Sequence, residues 1–394
     1  MTSQRVDPNL VKEMKVFGKG DWNACFHCGN CTAMCPLTEQ GFLFPRKSIR
    51  SLQMGLEKSI TGSTEPWLCY YCGECSETCP RDANPGELMM TLRRFLTQKY
   101  DWTGIANLFF KSNIALIIAF VLVFIGIIAV GFAKNFDKEA IMKFGHLFEQ
   151  LTILGVFTII LIPNIIRMFW FTIVKQEVKA PLGSYITGFW QLIWNMFTQN
   201  KALKCETGTF RWFEHFLIVI GYLLLLFTTV VLDWFHAENP IIIWSGYIVG
   251  ALVFIFTFDF VIGRLKKQKE VNKFSHPSDW LFVIWLFLLG FTAFLVRMFI
   301  DTGILDNNMW LYMVHLIIIA QWGLLLVPFG KWTHFLYRSF AIYFANLKKA
   351  ELNHQENLKT SFCFFNRPMT KSKVKINTRA PTIYPDQIII GFSA

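Results

Sequence analysis

Two regimes of hydrophobic patterning divide the chain. Over residues 1–107 the apolar positions are short and broken up by charges, glycines and prolines. From 108 to 335 there are six long apolar runs, at about 112–132, 147–170, 212–233, 241–262, 279–299 and 309–330. Each is near the ~20 residues a helix needs to cross ~30 Å of hydrocarbon. They are apolar on all sides, unlike a buried soluble helix, so the pattern predicts six transmembrane helices. Between the second and third runs, Phe189, Trp190, Ile193, Trp194 and Phe197 recur at helical spacing. That stretch, about 184–200, predicts a helix lying in the membrane interface. The alternative is an amphipathic helix packed on a soluble domain. Beyond residue 350 the chain is polar and basic, with three prolines and no periodicity, and reads as an extended tail lying along a partner. The expected fold is therefore mainly α: a soluble domain over 1–107, a six-helix membrane domain over 108–349 and a tail over 350–394.

Composition agrees with this division. Hydrophobic residues make up 53% and charged residues 16%, against about 25% charged in soluble domains. Lys and Arg outnumber Asp and Glu by 38 to 27. The basic excess fits loops beside anionic lipid rather than a nucleic-acid partner, because of where it falls. Lys175, Lys179, Lys201, Lys204 and Arg211 follow the second run, and Arg264, Lys266, Lys267, Lys269 and Lys273 follow the fourth. Lys331, Arg338, Lys348 and Lys349 follow the sixth. Residues 233–240 hold no basic residue and 297–308 hold one, while 134–150 balances three Lys against three acids. Both termini are thus expected in the cytoplasm, with the chain in the inner membrane. Residues 1–24 contain no apolar stretch of secretory length.

Eight of the ten cysteines lie in the polar region, in two matched runs. The first is Cys25-x2-Cys28-x2-Cys31-x3-Cys35-Pro36 and the second Cys69-x2-Cys72-x2-Cys75-x3-Cys79-Pro80. Three thiolates two residues apart wrap one corner of a cubane; the fourth, before Pro, ligates the other cluster. This spacing predicts two [4Fe-4S] clusters. Cluster one takes Cys25, Cys28, Cys31 and Cys79, and cluster two takes Cys69, Cys72, Cys75 and Cys35. Zinc sites favour two CxxC pairs, and disulfides do not suit a cytoplasmic domain. Gly29 and Gly73 are expected where backbone passes close to sulfide. Cys205 and Cys363 stand alone and read as inert thiols as readily as anything else.

Four histidines are candidate haem ligands. His215 at the start of the third run and His334 after the sixth share one depth, near the cytoplasmic face, as a six-coordinate b haem requires. Arg211, Lys331 and Arg338 could pair with its propionates. His315 precedes His334 by 19 residues, about 28 Å along a helix, so it would serve a second haem. His146 matches its depth better than His236, which stays open as a substitute. An isolated interfacial histidine is the plain alternative for each. His27 reads as a cluster-tuning or idle residue, and His276 and His354 as solvated loop residues. Asp259 is either a proton relay or, more ordinarily, an acid reaching the interface.

The stretch Cys25–Arg94, with Pro45-Arg46, Gly55, Trp67 and the paired cysteine runs, resembles the C-type iron–sulfur subunits of heterodisulfide reductases. The stretch Lys201–Arg338 resembles the cytochrome b family, which includes nitrate reductase gamma subunits and the E-type subunits of heterodisulfide reductases. That likeness is carried by Lys204-Cys205, Arg211, His215, His315, Pro328-Phe329, Lys331, His334 and Tyr337-Arg338. The two modules in this order resemble the C-type subunits of quinone-interacting membrane-bound oxidoreductase (Qmo) complexes. The resemblance implies two b haems, a menaquinone site and two cytoplasmic flavin- and iron–sulfur-containing partners like the A-type subunits of heterodisulfide reductases. It also implies electron exchange with adenylylsulfate reductase. In the nitrate reductase relatives both haems draw a ligand from the third helix, whereas the matching position here, near Leu225, has no histidine. His146 is therefore an inference from depth alone.

The expected function is that of one component of a quinone-dependent oxidoreductase. Quinone chemistry moves two electrons and two protons while each haem or cluster moves one electron, so the pair must be divided between successive carriers. Two other readings use the same residues. One is a component of a heterodisulfide reductase-like complex, and the other is a membrane anchor with clusters and no haem.

Overall fold

The computed structural model describes residues 5–38, 41–199, 209–227, 240–268 and 270–365. They are mainly helical. The chain forms two units, residues 1–352 and 353–394.

The iron–sulfur region is built of short helices. α1 (Leu10–Met14), α2 (Asn30–Ala33), α3 (Arg46–Gln53), α4 (Glu57–Thr61), α5 (Glu65–Leu68) and α6 (Glu74–Glu77) surround the longer α7 (Pro85–Tyr100). Pro85 at the first position of α7 suits a helix start, where its missing N–H is not needed. α7 buries Leu88, Met89, Leu92, Phe95 and Leu96 in one core with Leu10, Met14, Phe17, Trp22 and Trp67. α8 (Ile105–Lys111) leads on to the long apolar helices.

Among the described residues five helices are long and apolar enough to cross a membrane. α9 (Asn113–Ala133) is the first. The second is a continuous helix, Lys138–Val174, made of α10 (Lys138–Gly155), a π-helical stretch, α11 (Ile162–Phe169) and a second π-helical stretch. α12 (Leu182–Thr198) follows, then α13 (Thr209–Leu226), whose apolar stretch Trp212–Leu224 is shorter. The rest of the third expected run lies outside the described residues. α14 (Pro240–Lys266), a short α15 (Glu270–Lys273) and α16 (Pro277–Asp301) come next. The last span, Met309–Phe329, joins α17 (Met309–Gln321) through a π-helical stretch to α18 (Val327–Phe329). α19 (His334–Phe365) completes the described chain.

The apolar windows differ in position. That of α9 is 11% buried and that of Met309–Phe329 67% buried. A helix apolar on every side and exposed on most of them needs a lipid solvent; the more buried one is the centre of the bundle. Small residues bring the helices together. A Cβ on Gly145 of α10 would stand 2.2 Å from Tyr312 Oη of α17, and one on Gly290 of α16 3.0 Å from the Phe254 backbone nitrogen of α14.

Two elements differ from the sequence expectation. The second span begins at Lys138, not 147, because Asp137 caps it by accepting from the Ala140 N–H. The mixed-charge stretch read as a loop is thus the polar first part of the helix. Residues 350–365, read as the start of an extended tail, continue α19. No glycine or proline interrupts the chain between Gly330 and Pro368, so nothing breaks the helix there.

α19 also ties the two regions together. Its Tyr337, Ala341, Phe344 and Leu347 are buried in the core that holds α7. Tyr337 packs on Trp67 and Tyr100, with ring centres 5.2 and 5.5 Å away. α12 lies against the same helix, with Gly188 facing Tyr343. Its other face exposes Ile186, Phe189, Trp190, Trp194 and Phe197.

Candidate iron–sulfur and haem sites

The two cysteine loops have one backbone shape. His27 and Tyr71, each just before the second Cys, have positive φ (62° and 56°). Gly29 and Gly73, each just after it, have φ of 92° and 98° and begin α2 and α6. A chain that turns through the left-handed region aims successive N–H groups into one concavity, which suits an anionic iron–sulfur centre. The Tyr71 N–H already points at Cys69 Sγ, 3.3 Å away.

The electrostatic influences among the thiols form two overlapping sets. Cys31 is influenced by Cys25, Cys28 and Cys79. Cys35 and Cys75 are influenced by Cys69 and Cys72, and more weakly by Cys31. Among the described residues no three His, Cys, Asp or Glu side chains converge on a single-ion site. A cubane differs, because each thiolate binds its own iron. Burial pushes the Cys35 thiol up to about 12 and raises those of Cys31, Cys69 and Cys75. Such thiols stay protonated in neutral water and become ligands only when iron displaces the proton.

Each loop is clamped by one side chain from a neighbouring helix. Gln53 of α3 donates to the carbonyls of Trp22 (2.6 Å) and Cys25 (3.0 Å), and its Oε1 lies 2.5 Å from His27 Nε2. Arg93 of α7 donates to the carbonyls of Pro66 (2.8 Å), Trp67 (3.1 Å) and Cys69. Sequence reasoning missed both clamps, because Gln53 and Arg93 lie far from the loops in the chain. His27 is thus tied to α3.

Gly29→Ala should cost about 1–2 kcal/mol of backbone strain, with its Cβ 3.2 Å from Arg46 Nη1. The expected result is less iron and acid-labile sulfide per chain and earlier cluster loss on heating. Wild-type content and wild-type heat resistance would refute this.

The second site lies where α12, α13 and α19 meet. His215 and His334 stand with ring centres 6.2 Å apart and planes at 65°. A metal–imidazole bond is about 2 Å, so two rings at this spacing would leave room to hold one metal between them. His334 Nδ1 is 2.6 Å from the Lys331 carbonyl, which can only accept, so Nδ1 carries the proton. His215 Nδ1 is 2.6 Å from Gln199 Oε1. A hydrogen bond on Nδ1 thus orients each ring, as it does in metal-bound histidines. A cleft opens here, lined by Asn195, Met196, Gln199, His215, His334 and Arg338, among others. Gln199 had no signal in the sequence. Lys204, Cys205 and His236 lie outside the described residues.

A chain of polar contacts joins this cleft to the second cysteine loop. Tyr71 Oη donates to Glu87 Oε2 (3.3 Å), and Glu87 pairs with Arg94 (3.0 Å). Arg94 pairs with Asp279 (2.8 Å), which also takes Lys331 (2.8 Å). Lys331 supplies the carbonyl that holds His334. Burial raises Glu87, and Arg94 opposes it. His276 is not a solvated loop residue: it caps α16, its Nδ1 accepting from the Ser278 N–H at 3.2 Å. Burial lowers it to about 4, so it stays neutral.

The other expected residues are more dispersed. His315 Nδ1 is 2.8 Å from Thr292 Oγ1, whose hydroxyl donates to the Leu288 carbonyl at 2.7 Å. Nδ1 is then the donor and Nε2 is left as a lone pair. His146 is exposed on α10, one residue past the Gly145 that packs on Tyr312. Asp259 is exposed on α14.

Comparison with known proteins places the N-terminal region. Residues 21–83 match a 4Fe-4S dicluster domain. A protein of Archaeoglobus profundus, described as like the C-type subunit of heterodisulfide reductase, is 38% identical over 96 residues, 24% of this chain and 51% of that protein. The second C-type iron–sulfur subunit of the CoB–CoM heterodisulfide reductase of Methanocaldococcus jannaschii is 38% identical over 102 residues, 24% of this chain and 54% of that protein. The chain spans about half the length of these curated relatives. No solved structure matches it. The chain thus carries an iron–sulfur domain related to the C-type subunits of heterodisulfide reductases, followed by helices long and apolar enough to cross a membrane.

Proposed function

We propose that this chain is the membrane electron-transfer component of a quinone-dependent oxidoreductase complex. It links menaquinone, through two b haems and two [4Fe-4S] clusters, to cytoplasmic flavoprotein partners. The observation that carries this reading is the His215–His334 pair, 6.2 Å apart with both Nδ1 atoms hydrogen-bonded, beside the loop of Cys69. Haem and cluster supply one-electron carriers when bound.

Cys25, Cys28, Cys31 and Cys79 hold cluster one, and Cys35, Cys69, Cys72 and Cys75 hold cluster two; the two thiol sets support this division. His215 and His334 hold the inner haem, with Arg338 at the mouth of its cleft for a propionate. His315 holds the outer haem, oriented by Thr292. Its second ligand is His146, chosen by depth, with His236 as the substitute. The exposed aromatic face of α12 rests in the inner interface, and the iron–sulfur domain lies in the cytoplasm. The partners are two proteins like the A-type subunits of heterodisulfide reductases and, in dissimilatory sulfur metabolism, adenylylsulfate reductase.

The test is anaerobic addition of menadiol to the purified full chain. The quinol should reduce the haem and then the clusters. Clusters that dithionite reduces but menadiol does not would refute the quinone link. The heterodisulfide reductase-like alternative shares every cofactor and is separated by which partners co-purify.

A further inference from the structure

The two cluster loops share a backbone but differ in charge. Loop one is clamped by the neutral amide of Gln53, and loop two by the guanidinium of Arg93. A second guanidinium, Arg338, lies 4.9 Å over the ring of Tyr70, between Cys69 and Cys72. Arg338 also lines the cleft of His215 and His334. Loop one has cations near it, but they are placed differently. Arg46 lies beside Gly29, and Arg81 is an exposed residue over Phe26, where water screens its charge. Loop one also faces solvent: Cys28 is exposed, as is Phe26.

We infer that Arg338 is a shared positioning charge that couples the inner haem to cluster two. With Arg93, it makes cluster two the higher-potential, membrane-facing member of the pair. Cluster one is then the outlet toward a soluble redox partner. The inference rests on the cofactor assignment proposed above. The physical basis is that adding an electron makes a centre more negative, and a fixed cation close by in a low-dielectric setting favours that state. The transfer involved is balanced: one electron leaves ferrous haem, giving ferric haem, and reduces cluster two from the 2+ to the 1+ state.

The test is a paired optical and EPR redox titration of the purified full chain and its Arg338→Gln, Arg338→Lys and Arg93→Gln variants. Arg338→Gln should lower the midpoint of the haem and of one cluster together, leaving the other cluster in place. Arg338→Lys, which keeps the charge, should restore most of both. Arg93→Gln should lower the same cluster. That cluster should also be the one whose EPR signal relaxes faster when the haem is ferric. Equal shifts of both clusters, no shift in either, or faster relaxation of the unshifted cluster would overturn the inference. Should Arg338→Gln lose haem, the cluster shifts in it and in Arg93→Gln still decide. Absence of haem or clusters from the wild-type chain would instead defeat the underlying assignment.

Discussion

Asp279→Ala should destabilise the junction between the iron–sulfur domain and the membrane helices by about 3–5 kcal/mol. Asp279 is buried near the start of α16 and accepts from Arg94 and Lys331, each at 2.8 Å. Its Oδ2 also takes the His276 N–H at 3.2 Å, closing the helix cap. Removing the carboxylate takes from Lys331 the acid it pairs with and leaves Arg94 with Glu87 alone, and unmaking a buried pair in this way costs far more than the pair's net worth. The loss should spread, because Lys331 carries the carbonyl that holds His334. Asp279→Asn, which keeps the shape and a capping oxygen, should recover part of the loss. Thermal unfolding in detergent and haem content per chain are the readouts. An alanine variant with unchanged midpoint and haem would contradict the account.

His334→Ala is expected to abolish the inner haem and leave both clusters in place. A six-coordinate haem held by two imidazoles loses half its protein ligation, and the described residues that line the cleft include no other histidine on α19 to replace it. Menadiol should then no longer reduce the clusters, though dithionite still would. Gln199→Ala probes the layer behind the ligand. It removes the acceptor from His215 Nδ1 and should weaken haem retention by roughly 10–100-fold. Haem content and the optical spectrum of each variant check both expectations. A full complement of haem in His334→Ala would show the ligand pairing to be wrong.

Much of this architecture was legible because it depends on local pattern. Four of the apolar runs, at 112–132, 241–262, 279–299 and 309–330, match helices to within a few residues, since hydrocarbon thickness sets their length. The repeated cysteine spacing led directly to the dicluster domain. What stayed hidden depends on distant contacts. Asp279 reads in sequence as an acid at the end of an apolar run, and only packing of α7 on α16 brings Arg94 to it, 185 positions away. Arg93, Gln53 and Gln199 are ordinary polar residues until the fold sets them against a carbonyl or an imidazole. Helix ends were also hard to read. Asp137 starts the second span nine residues early because a cap can override a mixed-charge stretch.

The central claim is that a b haem stands beside the two clusters in this one chain. It is tested most directly by a reduced-minus-oxidised optical spectrum of the purified full chain, with iron counted on the same sample. The account predicts b-type haem bands together with about eight cluster irons per chain. A chain holding that cluster iron but showing no haem band would contradict it and leave an iron–sulfur membrane anchor.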